Sequence, residues 1–183
     1  MNLLGKIIVS MPSQEDERFF KTVIYMCAHS SEGSMGIIIN KKIDYDLYPD
    51  LLEQLGVDKP LENKKLFIRY GGPVESGRGF VLHSDDIIRK ETLNINKGVA
   101  LTSTAEFFDD LSIGRGPKHS ILALGYAGWG PGQLEKEIIQ NSWMTIEVDS
   151  NFIFDEEVSE KWSQAYKIMG INPDNLSFKS GRA

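Results

Sequence analysis

Apolar positions along the chain fall into short runs broken by glycine, proline and charged clusters. Residues 4–11 form one such run, stopped by Pro12, which predicts a strand. Residues 20–29 are rich in β-branched and aromatic side chains and predict a second strand. Residues 35–40 predict a third. Glu32-Gly33 between these two runs predicts a hairpin, which makes them antiparallel neighbours. Leu47, Leu51, Leu52 and Leu55 recur at helical spacing before Gly56, so residues 44–55 predict a helix. Residues 57–65 read as a charged loop. Strands are predicted again at 66–70, 79–83 and 99–102, while 87–97 carries no decisive pattern. Ser103 and Glu106 have the spacing of a capping box. The helix it opens has Phe107, Phe108 and Leu111 on its apolar face and ends at Gly114.

The stretch 121–143 organises the rest. Ile121 to Leu124 is an unbroken apolar run, as in a strand covered on both faces. Gly125, Gly128, Gly130 and Gly132 then predict a turn. Pro131 suits a first helical position. A helix is predicted over 133–141, with Leu134 and Ile138 inward and Glu135 and Glu137 in its first turn. Two readings compete. Free N–H groups at a helix start can hold an anion. Against this, the spacing matches neither the phosphate-loop nor the dinucleotide pattern, and the two glutamates repel phosphate. In the other reading the glycines let Tyr126 and Trp129 pack against neighbouring backbone.

Residues 144–149 alternate like a strand with one exposed face. Asp155 is read as the cap of a last helix bearing Val158, Trp162, Ala165, Tyr166 and Met169, closed by Gly170 and Pro173. Residues 175–183 read as a loose polar tail. Strands and helices mix without βαβ alternation. That predicts an α+β fold with a mixed, mostly antiparallel sheet, as a single domain over residues 1–183.

Composition narrows the function classes. The net charge of −6 argues against a broad nucleic-acid footprint. The basic pairs Lys41-Lys42, Lys64-Lys65 and Arg89-Lys90 read as solvated surface. One cysteine, Cys27, precludes an internal disulfide and fits a reducing cytoplasm. No apolar stretch approaches the roughly 20 residues of a membrane helix.

The candidate chemistry is sparse. Cys27 and His29 share a strand face, as a nucleophile and base would, though a cysteine in an apolar strand is more often a small buried hydrophobe. His83-Ser84-Asp85-Asp86 holds the residue types of a hydrolase triad without its elbow. His29, His83 and His119 are scattered in no metal-binding spacing, and no cofactor pattern occurs. Gly71-Gly72-Pro73-Val74 ends a strand, and Arg78 is placed to clamp an anion. A tight turn with an exposed arginine explains the same residues.

Several motifs together resemble the AlgH/YqgE family of bacterial proteins. They are Met11-Pro12-Ser13, residues 35–41 (MGIIINK), Gly71-Gly72-Pro73-Val74, residues 78–84 (RGFVLHS), residues 124–129 (LGYAGW) and Gly132-Gln133-Leu134-Glu135. The resemblance spans nearly the whole chain and departs at its end, Gly181-Arg182-Ala183, where relatives often finish Gly-His-Ala. It implies a bent sheet forming a pseudo-barrel flanked by helices, and a role in transcriptional regulation. It carries over no catalytic residue and no cofactor.

The sequence thus leads to a cytoplasmic, non-enzymatic regulatory domain. It would bind an unidentified protein partner or a small anionic ligand. The expected pocket is walled by Asn40, Gly71, Gly72, Arg78, His83, Trp129 and Gln133. Arg78 pairs the anion, Asn40 and Gln133 orient it, and Trp129 supplies apolar area. The first alternative is a hydrolase or metal-assisted enzyme using His83 and Asp85. The second is direct nucleic-acid binding, which needs the lysine pairs and Arg78 on one face.

Overall fold

The computed structural model describes residues 1–43 and 68–176. The helix expected at 44–55, the charged loop at 57–65 and most of the tail lie outside the described residues.

Among the described residues, nine strands build one bent sheet. They are β1 (Ile7–Ser10), β2 (Val23–Ser30), β3 (Gly33–Ile38), β4 (Ile68–Tyr70), β5 (Val74–His83), β6 (Leu93–Asn96), β7 (Val99–Thr102), β8 (Ser120–Trp129) and β9 (Trp143–Ile146). Their order is β6-β7-β5-β8-β3-β2-β1-β9, with β4 beside β8. Only β4–β8 is parallel among the strand pairs of the described residues. The expected hairpin between β2 and β3 is present, with Ser30 opposite Gly33. The sheet stays open but curls, and Asn96 Nδ2 on edge strand β6 donates to Gly5 O just before β1 at 3.2 Å. Helices α1 (Ala105–Ser112), α2 (Gln133–Ile139), α3 (Ser150–Phe154) and α4 (Lys161–Ile168) flank it.

Strands β1, β2, β7 and β8 are buried over most of their length because both sheet faces are covered there. In β1 and β2, Ile7, Val9, Val23, Tyr25 and Cys27 face one core, which α3 and α4 close with Ile153, Trp162 and Tyr166. Their neighbours Ile8, Ile24 and Met26 face a second core, with Trp129, Leu134 and Trp143. This is the two-residue alternation of a pleated strand. A third cluster packs Phe107, Phe108 and Leu111 of α1 on Val81 and Leu122. Trp162 Nε1 and Tyr166 Oη both donate to Ser10 O, at 2.9 and 3.1 Å, and fasten α4 to the end of β1.

The structure corrects the sequence reading at four places. Strand β8 runs through Gly125 and Gly128 to Trp129, where a turn is expected after Leu124. The reason is a backbone crossing. Gly125 has φ 68° and Gly72 has φ 150°. A Cβ on Gly125 would overlap Gly72 O, and one on Gly72 would overlap the Tyr126 backbone. Helix α2 begins after Gly132, so Pro131 precedes the cap, and Glu137 lies past the first turn. The capping box before α1 does not form: Thr104 is the cap residue, and the Ser103 hydroxyl accepts from Arg78 Nη2 at 3.3 Å. The last helix is two helices. Asp149 caps α3 through Phe152 N at 3.0 Å, and extended backbone at Asp155 ends it before α4 starts.

Candidate functional site

A cleft of about 380 Å³ opens where α2 meets the ends of β8 and β9. Its walls come from a strap before β2 (Gln14, Asp16, Arg18, Phe19), the start of β5 (Pro73, Val74), Gly128 and Trp129, then Gln133, Glu137, Ser142 and Trp143. Val74, Gly128 and Trp129 also wall a second, more open depression beside the β2–β3 hairpin.

Glu137 organises the cleft. Its Oε2 accepts from Trp143 Nε1 at 2.7 Å and from Trp129 Nε1 at 2.9 Å. Its Oε1 accepts from Gln133 Nε2 at 2.9 Å, one helical turn away. Gln133 Oε1 in turn accepts from Gly130 N at 3.0 Å, so the glycine turn is fixed from the first helical residue. Gly130 N–H is therefore already satisfied by the protein. Trp129 and Trp143 meet edge to face at 6.0 Å, and Phe19 meets Trp143 in the same way at 5.5 Å.

The strap is held from both sides. Met11 N donates to Ser142 O at 3.0 Å, and Lys41 Nζ donates to Arg18 O at 2.6 Å. Asp16 accepts from Arg18 Nε at 3.0 Å and from Nη2 at 2.6 Å. The guanidinium holds the Asp16 carboxyl below the usual carboxylate range.

Of the seven expected site residues, Trp129 and Gln133 line this cleft. Gly71 and Gly72 are buried behind Pro73. Gly71 N donates to Leu124 O at 2.8 Å and its carbonyl accepts from Ile38 N at 2.9 Å, so it stitches β3 to β8. Asn40 is a clip between segments: Oδ1 accepts from Val23 N and Nδ2 donates to Lys21 O, each at 2.8 Å. Arg78 is exposed, pairs with Glu75 at 2.9 Å and lies over Phe80. His83 is fully buried. Its Nδ1–H donates to Ser84 O at 2.9 Å, which leaves Nε2 to accept from Thr102 Oγ1 at 2.9 Å. Thr92 Oγ1 completes the relay, 2.7 Å from Thr102 Oγ1. Burial pushes the His83 pKa down, against weaker upward pulls from the Ser84 carbonyl, Asp86 and Asp85.

The polar groups after His83 serve the backbone. Asp85 Oδ2 accepts from Gly98 N at 2.8 Å. Asp86 accepts from Ser84 Oγ and from Lys118 N. Cys27 is fully buried, and that burial raises its thiol pKa. Among the described residues, no three His, Cys, Asp or Glu side chains are grouped to hold a metal ion. Arg18, Arg78 and Arg89 are each paired with a carboxylate. No described helix is long and apolar enough to cross a membrane.

Comparison with known proteins bears on this geometry. The AlgH-like family model (DUF179) matches residues 7–174. The chain belongs to the AlgH-like family. A UPF0301 protein of Rhodopseudomonas palustris strain HaA2 is 48% identical over 187 residues, covering 98% of this chain and 86% of that protein. A UPF0301 protein of Jannaschia sp. is 43% identical, over 100% of this chain and 96% of the relative. The solution structure of AlgH from Pseudomonas aeruginosa superposes with a TM-score of 0.80 at 35% identity, covering 99% of this chain and 96% of that one. Protein DIP2367 from Corynebacterium diphtheriae shares the fold, with a TM-score of 0.72 at 18% identity over 92% and 87% of the two chains. The bent α+β sheet of this AlgH-like chain is thus the family's architecture.

Sequence reasoning missed Glu137, Trp143 and the strap. In sequence Glu137 reads as a dipole-complementing residue, whereas it lies one turn in from Gln133, past the first turn. The available signal was Gln133 and Glu137 at i, i+4, on a helix flanked by two tryptophans.

Proposed function

We propose that the protein is a non-enzymatic binding domain and that the cleft around Glu137 is its recognition site. The regulatory role implied by the family resemblance would be exercised in the cytoplasm through what the cleft binds. One observation carries this reading: a single carboxylate fixes two indoles and a carboxamide around a concave space. Rigid aromatic walls with a few fixed polar groups are how small-molecule sites are built.

The enzymatic alternative has less support. A general base must reach its substrate. His83 is sealed between Thr102, Ser84 and the Phe107 ring, 4.6 Å away, and Asp85 is engaged by Gly98. Direct nucleic-acid binding also lacks support where the charges are described, because Arg78 and Arg89 are paired with Glu75 and Asp110.

The test is a thermal-shift screen of a small-molecule library against the wild type and Val74→Trp. Val74 is 36% exposed and walls both depressions, so a larger, uncharged side chain there narrows the entrance. Ligands of the cleft raise the melting temperature of the wild type and not of the variant. Hits that stabilise both proteins equally place the site elsewhere. Labelled duplex DNA, followed by anisotropy at two salt concentrations, tests the competing reading. Tight binding that weakens steeply with salt would overturn the small-ligand assignment.

A further inference from the structure

We propose that the cleft accepts a small organic cation, carrying an alkylammonium, quaternary ammonium or guanidinium group. This rests on the cleft being the binding site, and it names the chemistry of the ligand.

Ring geometry is the first support. Phe19 stands at 74° to Trp143 and Trp129 at 85° to it, with centroids 5.5 and 6.0 Å away. Both rings pack edge to face with Trp143, and all three line one cleft. Aromatic faces carry negative potential and attract a cation within about 6 Å of the centroid. A guanidinium already uses this chemistry here, since Arg18 Cζ lies 5.6 Å from the Phe19 centroid.

Charge is the second support. Glu137 takes its hydrogen bonds from neutral donors: two indoles and a carboxamide. Among the described residues no cationic side chain forms an ion pair with it. Each indole N–H that donates to this carboxylate is polarised, which enriches the electron density of its ring. The cation in the cleft wall, Arg18, is spent on Asp16 at 2.6 Å and is not available to hold an anion. A volume of about 380 Å³ suits a molecule of metabolite size.

Calorimetric titration of the full chain tests the assignment, with choline, putrescine and agmatine as cations and citrate and inorganic phosphate as anions. At least one cation binds the wild type, and neither anion does. Glu137→Gln keeps the side-chain shape and removes the charge, and it weakens the cation about tenfold or more. Arg18→Gln is an exposed change that releases Asp16 as a second carboxylate, and it tightens the cation by about threefold or more. An Arg18→Gln variant that binds the cation no better than the wild type counts against the charge argument. If an anion or a neutral molecule binds in a way that Val74→Trp abolishes while the cations do not, the cation assignment is overturned and the cleft survives. If no compound of any class binds in a Val74→Trp-sensitive way, both fail.

Discussion

Trp143 and Glu137 meet at 2.7 Å, between the first residue of β9 and the middle of α2. The same carboxylate oxygen holds Trp129, at the end of β8. Helix α2 is only seven residues long, too short to be stable alone. Burial of Leu134 and the Glu137 clamp position it against the sheet. The clamp is thus both a structural joint and the shaping element of the cleft.

Removing that carboxylate should destabilise the protein. Glu137→Ala leaves two largely buried indole N–H groups without their acceptor, at about 1–3 kcal/mol each. Chemical denaturation should show a loss of about 2 kcal/mol or more, and Glu137→Gln a smaller one. Equal stability for wild type and Glu137→Ala would mean that the clamp contributes nothing.

Two glycines separate backbone constraint from mere flexibility. Gly72→Ala drives a Cβ into the Tyr126 backbone at φ 150° and should cost about 3 kcal/mol or more, or prevent folding. Gly77→Ala meets nothing within 4 Å and should change stability by less than about 0.5 kcal/mol. Denaturation midpoints of the two variants check the contrast.

His83 should titrate below its ordinary value of 6.5, because burial disfavours the charged ring. The unfolded chain then binds a proton that the folded one refuses. This group therefore costs stability as pH falls through 6.5. Long-range proton–nitrogen NMR should show the neutral Nδ1–H tautomer at pH 6. A ring mostly protonated at pH 6 would contradict the buried relay through Thr102 and Thr92.

Lys161 carries the opposite end of the pH range. It is fully buried, donates to Phe152 O at 2.5 Å, and its pKa is pushed down to about 8. Burial dominates, aided by Arg69 and opposed by Asp155 and Glu157. The burial penalty is complete below about pH 8 and relieved as pH rises toward 10.5, where the unfolded chain also deprotonates. Wild-type stability should therefore rise relative to Lys161→Met between pH 8 and 10.5. A difference that stays flat across that window would show that Lys161 titrates normally.

Local pattern carried much of the fold. The β2–β3 hairpin, the apolar face of α1 and the pairing of Ile121–Leu124 with covered neighbours follow from periodicity in the sequence. What failed depended on contacts distant in the chain. The glycines after Leu124 read as a turn because the Gly72–Gly125 crossing is invisible locally. Ser103 read as a cap because Arg78, twenty-five residues away, was not known to take its hydroxyl. In the site, Trp129 and Gln133 were legible as part of one strand–turn–helix unit. The strap of Asp16, Arg18 and Phe19 was not, because β2 to β7 and α1 separate it from that unit in sequence.

The most direct test of the central claim is a proton–nitrogen NMR titration of the three indole N–H signals with choline. Trp162 donates to Ser10 O inside the core and serves as the internal reference. The account predicts that the Trp129 and Trp143 signals move together and saturate at one affinity, while Trp162 stays fixed. Saturable choline binding that leaves Trp129 and Trp143 unmoved, or no binding by choline, putrescine and agmatine alike, would contradict it.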